Sequence, residues 1–209
     1  MKKKTSLNVI QLESTLPPFE KSDDNRYGSL SHYPPLMMPD ESIYWGQLNG
    51  LYQKHGYGII IKPDGSKYEG MFENGKKHGK GKFTCHDGQY YEGEFEMNDI
   101  HGKGSYKWKD GRIYSGDWVA NKMDGTGVFK WPDRKKYVGS YSSDNKHGYG
   151  VFLWPDGKKF EGCWMNGKQH GFGIFTNGNS QYGEWRMGKK IRWIQNDNPE
   201  LERVIEELQ

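Results

Sequence analysis

Five histidines, His55, His78, His101, His147 and His170, each stand directly before a glycine in this 209-residue chain, at one recurring position. Imidazoles repeated in this way raise metal ligation and acid–base work as candidate chemistries. The spacing argues against a shared metal. Equivalent positions in successive two-stranded units lie roughly 10 Å apart, whereas zinc ligands sit about 2 Å from a common ion. The expected role is structural, with the imidazole packing or hydrogen bonding where a strand begins. Asp124 fills the same slot in another copy, which suits a short polar acceptor in a loop.

The other chemical candidates are weaker. The run Gly75-Lys76-Lys77-His78-Gly79-Lys80-Gly81-Lys82 looks like a phosphate loop but lacks the Gly-Lys-Ser/Thr ending, and a hairpin is expected after it instead of a helix N-terminus. No Gly-x-Ser-x-Gly, His-Glu-x-x-His or Cys-x-x-Cys occurs, and Glu92 and Glu94 fall on one solvated strand face. Cys85 and Cys163 make neither a disulfide framework nor a zinc site. No catalytic residue, metal or cofactor is therefore expected. Lysines and arginines gather in the loops and turns: Lys76, Lys77, Lys80 and Lys82, then Arg134, Lys135 and Lys136, Lys158 and Lys159, and Lys189, Lys190 and Arg192. Lined along one edge they would attract an anionic lipid surface; interrupted by Glu73, Asp99, Asp124 and Asp144 they form an ordinary solvated edge.

Composition narrows the classes further. The net charge of +3 is small and mixed, so nucleic acid is not an expected partner. No apolar run exceeds the four residues Val151-Phe152-Leu153-Trp154, which excludes a membrane-spanning helix of roughly 20 residues. Without a secretory apolar stretch after Lys2-Lys3-Lys4, and with Lys at position 2, the expectation is a reduced intracellular protein with no lipid anchor. Hydrophobic residues make up only 33% of the chain, yet aromatics alone are 15% and glycines number 29, so any core must be built from rings.

The elements that would position these groups follow from a repeat. An aromatic-x-Gly-x-aromatic unit starts at Tyr68, Tyr91, Tyr114, Tyr137 and Phe160, every 23 residues, with looser copies at Tyr44 and Gln181. Ten residues after each regular start comes His-Gly-x-Gly or Asp-Gly-x-Gly, then alternating rings such as Tyr106-x-Trp108, Phe129-x-Trp131 and Phe152-x-Trp154, then Pro-Asp-Gly or a relative. Each unit reads strand, loop, strand, turn: one β-hairpin. In Tyr91-Glu92-Gly93-Glu94-Phe95 the rings and the glycine share one face and the glutamates the other. Glycine weakens a strand unless the space is needed, and here a neighbouring ring can lie over it. Hairpins laid side by side predict an all-β fold, an elongated single-layer antiparallel sheet with one ring-rich and one polar face.

These units, Tyr-x-Gly-x-Phe/Trp followed by His-Gly-x-Gly and Pro-Asp-Gly over residues 44 to 194, resemble the membrane occupation and recognition nexus (MORN) repeat family. Asp124 in place of His, Arg134 in place of the turn glycine, and the unit at 181, which lacks its leading ring and the second motif, depart from the pattern. The resemblance implies small stand-alone scaffolds of cytoskeletal assemblies, notably radial-spoke and other ciliary axoneme complexes; the family name also implies a tether to anionic phospholipid.

Three segments result: an extended or disordered arm over 1–42, the repeat array over 43–194, and an amphipathic helix over 195–209. The arm carries Pro17-Pro18, Pro34-Pro35 and Pro39, and either stays unstructured or folds back over the first hairpin edge. At the other end Asn198-Pro199 is a helix start, and Leu201, Val204, Ile205 and Leu208 make an apolar stripe that caps the last hairpin or meets a partner or a second copy of the chain. The expected function is a non-catalytic scaffold within a larger protein complex. Its partner contacts are Tyr91, Phe95, Tyr106, Trp108, Tyr114, Trp118, Phe129, Trp131, Tyr137, Phe152, Trp154 and Trp164 on the ring face, with both ends as further contacts.

Overall fold

The computed structural model of the chain describes residues 31–32 and 34–195, so most of the N-terminal arm and the stripe Leu201, Val204, Ile205 and Leu208 lie outside the described residues. Two compact units are present, residues 1–99 and 100–209. Unit 1 holds β1 (Ser31–His32), β2 (Leu36–Met37), β3 (Ile43–Leu48), β4 (Lys54–Ile61), β5 (Lys67–Glu73), β6 (Lys76–Thr84) and β7 (Tyr90–Glu96). From β3 to β7 each strand pairs antiparallel with its successor in sequence, as hairpin connections require. Unit 2 runs in the same manner through β8 (Asp99–Lys107), β9 (Ile113–Val119), β10 (Lys122–Lys130), β11 (Lys136–Ser142), β12 (Asn145–Leu153), β13 (Lys159–Met165), β14 (Lys168–Asn177), β15 (Asn179–Arg186) and β16 (Lys189–Trp193). The described residues are all-β, as the repeat predicts.

Two turn types alternate. Between the two motifs of a unit the expected loop is a two-residue turn: Asn74-Gly75 sits at φ 47 and 83, Met97-Asn98 at 50 and 82, Ala120-Asn121 at 45 and 68 and Ser143-Asp144 at 45 and 68. Both central residues at positive φ is the requirement of a type I′ hairpin. The second strand thus starts two residues before the histidine position, and the glycine after that position lies at positive φ, as at Gly79 (65) and Gly148 (64). There the ladder bulges by two residues, so the first glycine of His-Gly-x-Gly serves backbone geometry.

The Pro-Asp-Gly turn is held by its aspartate. In 62–66 the Lys62 N–H donates to Ser66 O (2.9 Å), Gly65 N–H to Lys62 O (2.9 Å), and both Ser66 N–H and Ser66 Oγ–H donate to Asp64 Oδ1 at 2.8 and 2.7 Å. Residues 38–42 repeat this arrangement bond for bond: Met38 N–H to Ser42 O, Glu41 N–H to Met38 O, and Ser42 N–H and Oγ–H to Asp40 Oδ1. Repeat geometry therefore begins before the expected boundary at 43, in residues assigned by sequence to the arm. Leu36–Met37 pairs with Tyr44 and Ile43, and Ser31–His32 with Leu48 and Gln47, so β1 and β2 together occupy the edge of β3. Pro34-Pro35, unable to donate to a ladder, separates the two pieces.

Candidate functional site

In each unit the glycine of the aromatic-x-Gly-x-aromatic motif and the last glycine of the His-Gly-x-Gly motif line up in register. Gly46, Gly58, Gly70, Gly81 and Gly93 pair successively across unit 1, and Gly104, Gly116, Gly127, Gly139, Gly150, Gly162, Gly173 and Gly183 across unit 2. On this bare row lie the leading rings. A Cβ on Gly58 would come within 2.6 Å of Tyr44 Cε2, and one on Gly173 within 2.6 Å of Phe160 Cζ; Tyr68, Tyr114 and Tyr137 cover their own glycine pairs in the same way. Each leading tyrosine donates its hydroxyl to a carbonyl three residues on, Tyr68 to Met71 O (2.8 Å) and Tyr114 to Asp117 O (3.0 Å) among them. The following rings stand edge-on between them: Tyr114 meets Trp118 and Tyr141 at 5.1 Å, and Tyr137 meets Tyr141 and Trp164 at 5.3 Å. Burial holds the phenols of Tyr44, Tyr68, Tyr91, Tyr114, Tyr137 and Tyr141 well above their ordinary pKa.

This ladder is core. Tyr91, Tyr114 and Tyr137 are 0% exposed, and Phe95, Trp118, Phe129, Phe152 and Trp164 are buried as well, so these eight of the expected partner contacts have almost no surface to offer. The indoles of Trp118 and Trp164 spend their N–H on Gly104 O (3.2 Å) and Gly150 O (3.0 Å). What remains open lies along a second file of rings on the same face. In unit 2 it runs Tyr106, Trp108, Phe129, Trp131, Phe152 and Trp154, with successive centroids 4.4–5.6 Å apart. Tyr106, Trp108, Trp131 and Trp154 are half-exposed. Beside Trp131 a recess of about 130 Å³, bordered by Met123, Phe129, Tyr141 and Lys146, is the size of a small side chain.

Lysines reach over these rings, a feature the sequence reading missed. Lys146 Nζ lies 4.4 Å from the Trp164 centroid and 5.0 Å from Phe152, and Lys77 Nζ 4.7 Å from Phe83 and 5.2 Å from Tyr68. Burial among the rings pushes both ammonium groups below the usual lysine pKa. The position just before each histidine carries the signal, since strand alternation turns it to the ring face.

Where the sequence placed other candidates, the outcome is mixed. His55 Nδ1 accepts the Asn74 N–H, His170 Nδ1 the Met187 N–H (both 3.3 Å) and Asp124 Oδ2 the Ser143 N–H (3.0 Å), so this slot ties a strand to the turn of the next hairpin. Of the loop cations, Lys82, Lys135, Lys158 and Lys159 are paired with Glu92, Asp133, Asp156 and Glu161 at 2.7–3.0 Å. The face opposite the rings is less polar in unit 2 than the alternation implied: Val128, Val138 and Val151 stand in register there. Among the described residues no group of three or more His, Cys, Asp or Glu is placed to hold a metal ion, and no helix is long and apolar enough to cross a membrane.

Tandem hairpins whose rings lie on register-paired glycines define a β-repeat protein. The MORN repeat profile matches six times, over residues 52–67, 68–90, 91–111, 114–135, 137–159 and 160–181, more than half of the chain. The chain belongs to the MORN-repeat family, whose repeats point to a protein-interaction or membrane-binding role. No curated protein matches it. Among solved structures it is similar to the TCP domain of SAS-4 (dCPAP) of Drosophila melanogaster, solved with a proline-rich motif of Ana2, at 11% identity and a TM-score of 0.41 over 82% of this chain and 98% of that one. It is likewise similar to the G-box domain of the microcephaly protein CPAP, at 17% identity and a TM-score of 0.39 over 73% and 80% of the two chains. Likenesses this distant carry no functional inference.

Proposed function

We propose that this chain is a non-catalytic scaffold that holds other proteins of a larger complex on its ring face. One observation carries the reading. A fully packed lower ladder fixes the backbone, while a second file of rings, Tyr106, Trp108, Trp131 and Trp154, is left half-exposed above it. Rigid aromatics held in this way supply contact area at little cost in conformational entropy and dominate binding where they become desolvated. The assembly we assign is cytoskeletal, ciliary and radial-spoke-like in kind, on the family resemblance alone. The alternative of a tether to anionic phospholipid draws on the loop cations, five of which, Arg192 included, are already engaged by carboxylates.

Paired variants test the reading. Trp108→Gln/Trp131→Gln/Trp154→Gln should lose co-purification of native partners while keeping the sheet signal in circular dichroism, and Val128→Gln/Val138→Gln/Val151→Gln on the opposite face should keep both. Loss of partners only with the valine set assigns docking to the other face. Sedimentation with anionic vesicles that neutral variants of Lys76, Lys77, Lys135 and Lys136 abolish favours the lipid alternative.

A further inference from the structure

The ring face of unit 1 gathers three lysines, Lys54, Lys62 and Lys77, over its rings. Trp108, Trp131 and Trp154 hold the turn position whose N–H donates to the carbonyl four residues on; in unit 1 the same position is held by Met38, Lys62 and Cys85, with no tryptophan. Ile100, Met123, Lys146 and Gln169 hold the unit 2 position whose carbonyl accepts from the neighbouring turn, through Asn121, Asp144, Gly167 and Gly188 N–H; in unit 1 both equivalent acceptors are lysines, Lys54 and Lys77, bonded by Gly75 N–H and Asn98 N–H. Strand alternation sends all three lysines to the ring face. Lys54 Nζ lies 5.7 Å from the Phe72 centroid, Lys62 Nζ 6.0 Å from Phe83, and Lys77 Nζ 4.7 Å from the same Phe83.

These cations have no carboxylate within ion-pair distance among the described residues, whereas Lys67 and Lys82, on the other face of the same strands, are paired with Glu69 and Glu92. The acids that act on Lys54 and Lys62 through space are Asp40 and Asp64, whose carboxylates are already held by Ser42 and Ser66. Burial, and after it the charges of Lys62 and Lys54, depresses the pKa of Lys77, so Lys77 is repelled by both over a half-buried floor. Gathered like charge that no ion pair neutralises destabilises the lone chain, and an anionic group supplied by a partner reduces that repulsion.

We propose that the ring face of unit 1 docks an acidic peptide segment, whose Asp or Glu carboxylates pair with Lys54, Lys62 and Lys77 while an apolar side chain rests on Phe83. The inference rests on the docking role of the ring face given above and names the partner's chemistry. Lys54 and Lys77 are half-buried between rings, where an extended side chain reaches and the headgroup plane of a bilayer does not.

The test uses the full chain and a fluorescent peptide alternating Glu and Phe, its Gln-for-Glu counterpart, and vesicles of phosphatidylcholine with phosphatidylserine. The Glu peptide should bind about tenfold tighter or more at low salt, with the gap closing as salt screens it. Lys54→Gln/Lys62→Gln/Lys77→Gln should erase the gap and leave the Gln peptide's affinity unchanged, and Lys67→Gln/Lys82→Gln should leave the gap intact. The triple variant should also melt no lower than the parent, since it relieves repulsion; a clearly lower melting point makes these lysines structural and overturns the proposal. Equal affinity for the two peptides overturns acid recognition while ring-face docking stands. Vesicle binding lost in the triple variant, with no peptide preference, overturns it in favour of lipid, and no binding of either peptide overturns both readings.

Discussion

Gly127 and Gly157 are both conspicuous in the repeat, and they are glycine for different reasons. A Cβ on Gly127 would fall inside the Tyr114 ring, while one on Gly157 meets nothing but must sit at φ +86. Gly127→Ala should therefore destabilise unit 2 by about 1–3 kcal/mol, the cost of overpacking, and disturb the near-ultraviolet tyrosine signal. Gly157→Ala should cost about 1 kcal/mol and leave that signal alone. Denaturant melts of the two variants check the order. The reverse applies at Ala120, a β-carbon residue held at φ 45 in a turn whose equivalents include Asn74 and Asn166. Ala120→Asn should stabilise by about 0.5–1 kcal/mol, read in the same melts, because asparagine tolerates the left-handed region better.

At the scale of the hairpin, the rings on glycines were legible because a two-residue alternation and a 23-residue period leave little choice of face or partner. The type I′ turns were not. Their usual Asn-Gly or Asp-Gly signature is absent from Met97-Asn98, Ala120-Asn121 and Ser143-Asp144, so the tight turn read as a loop. Nor was the first turn of the array visible, since Glu41 at φ 62 stands where Gly65 and Gly111 stand in later copies. Glu41→Gly should accordingly raise stability by about 0.5–1 kcal/mol in a denaturant melt, the gain of relieving a left-handed non-glycine residue. For the proposed site, the sequence placed the rings on one face but could not separate that face's two layers. Tyr114 and Trp131 look alike as strand aromatics, yet the first lies on Gly116 and Gly127 and vanishes from the surface, while the second sits at the strand end beyond the glycine row.

For the molecule as a whole, these layers set a pH window. A phenol whose folded pKa is raised leaves stability intact below its unfolded value of 10.0 and withdraws it as pH climbs through the folded value. The chain should unfold cooperatively above pH 10, with tyrosinate absorbance of the core rings rising only as the sheet signal falls. Core tyrosinate formed on an intact sheet would contradict the packing. At the acid end the turn aspartates Asp64, Asp133 and Asp156 have lowered pKa values, chiefly through the side-chain hydrogen bonds from Ser66, Lys135 and Lys158. Their contribution is complete above 3.8, the unfolded value, and fades as pH drops below it, so acid melting should begin there.

Site-specific photocrosslinking in native cells tests most directly whether the ring face is the working surface. A benzophenone amino acid replaces Trp154 in one variant and Val138, on the opposite face, in another. Crosslinks to a defined partner from position 154 and none from position 138 are the predicted result. Crosslinks from position 138 with none from position 154 would contradict it.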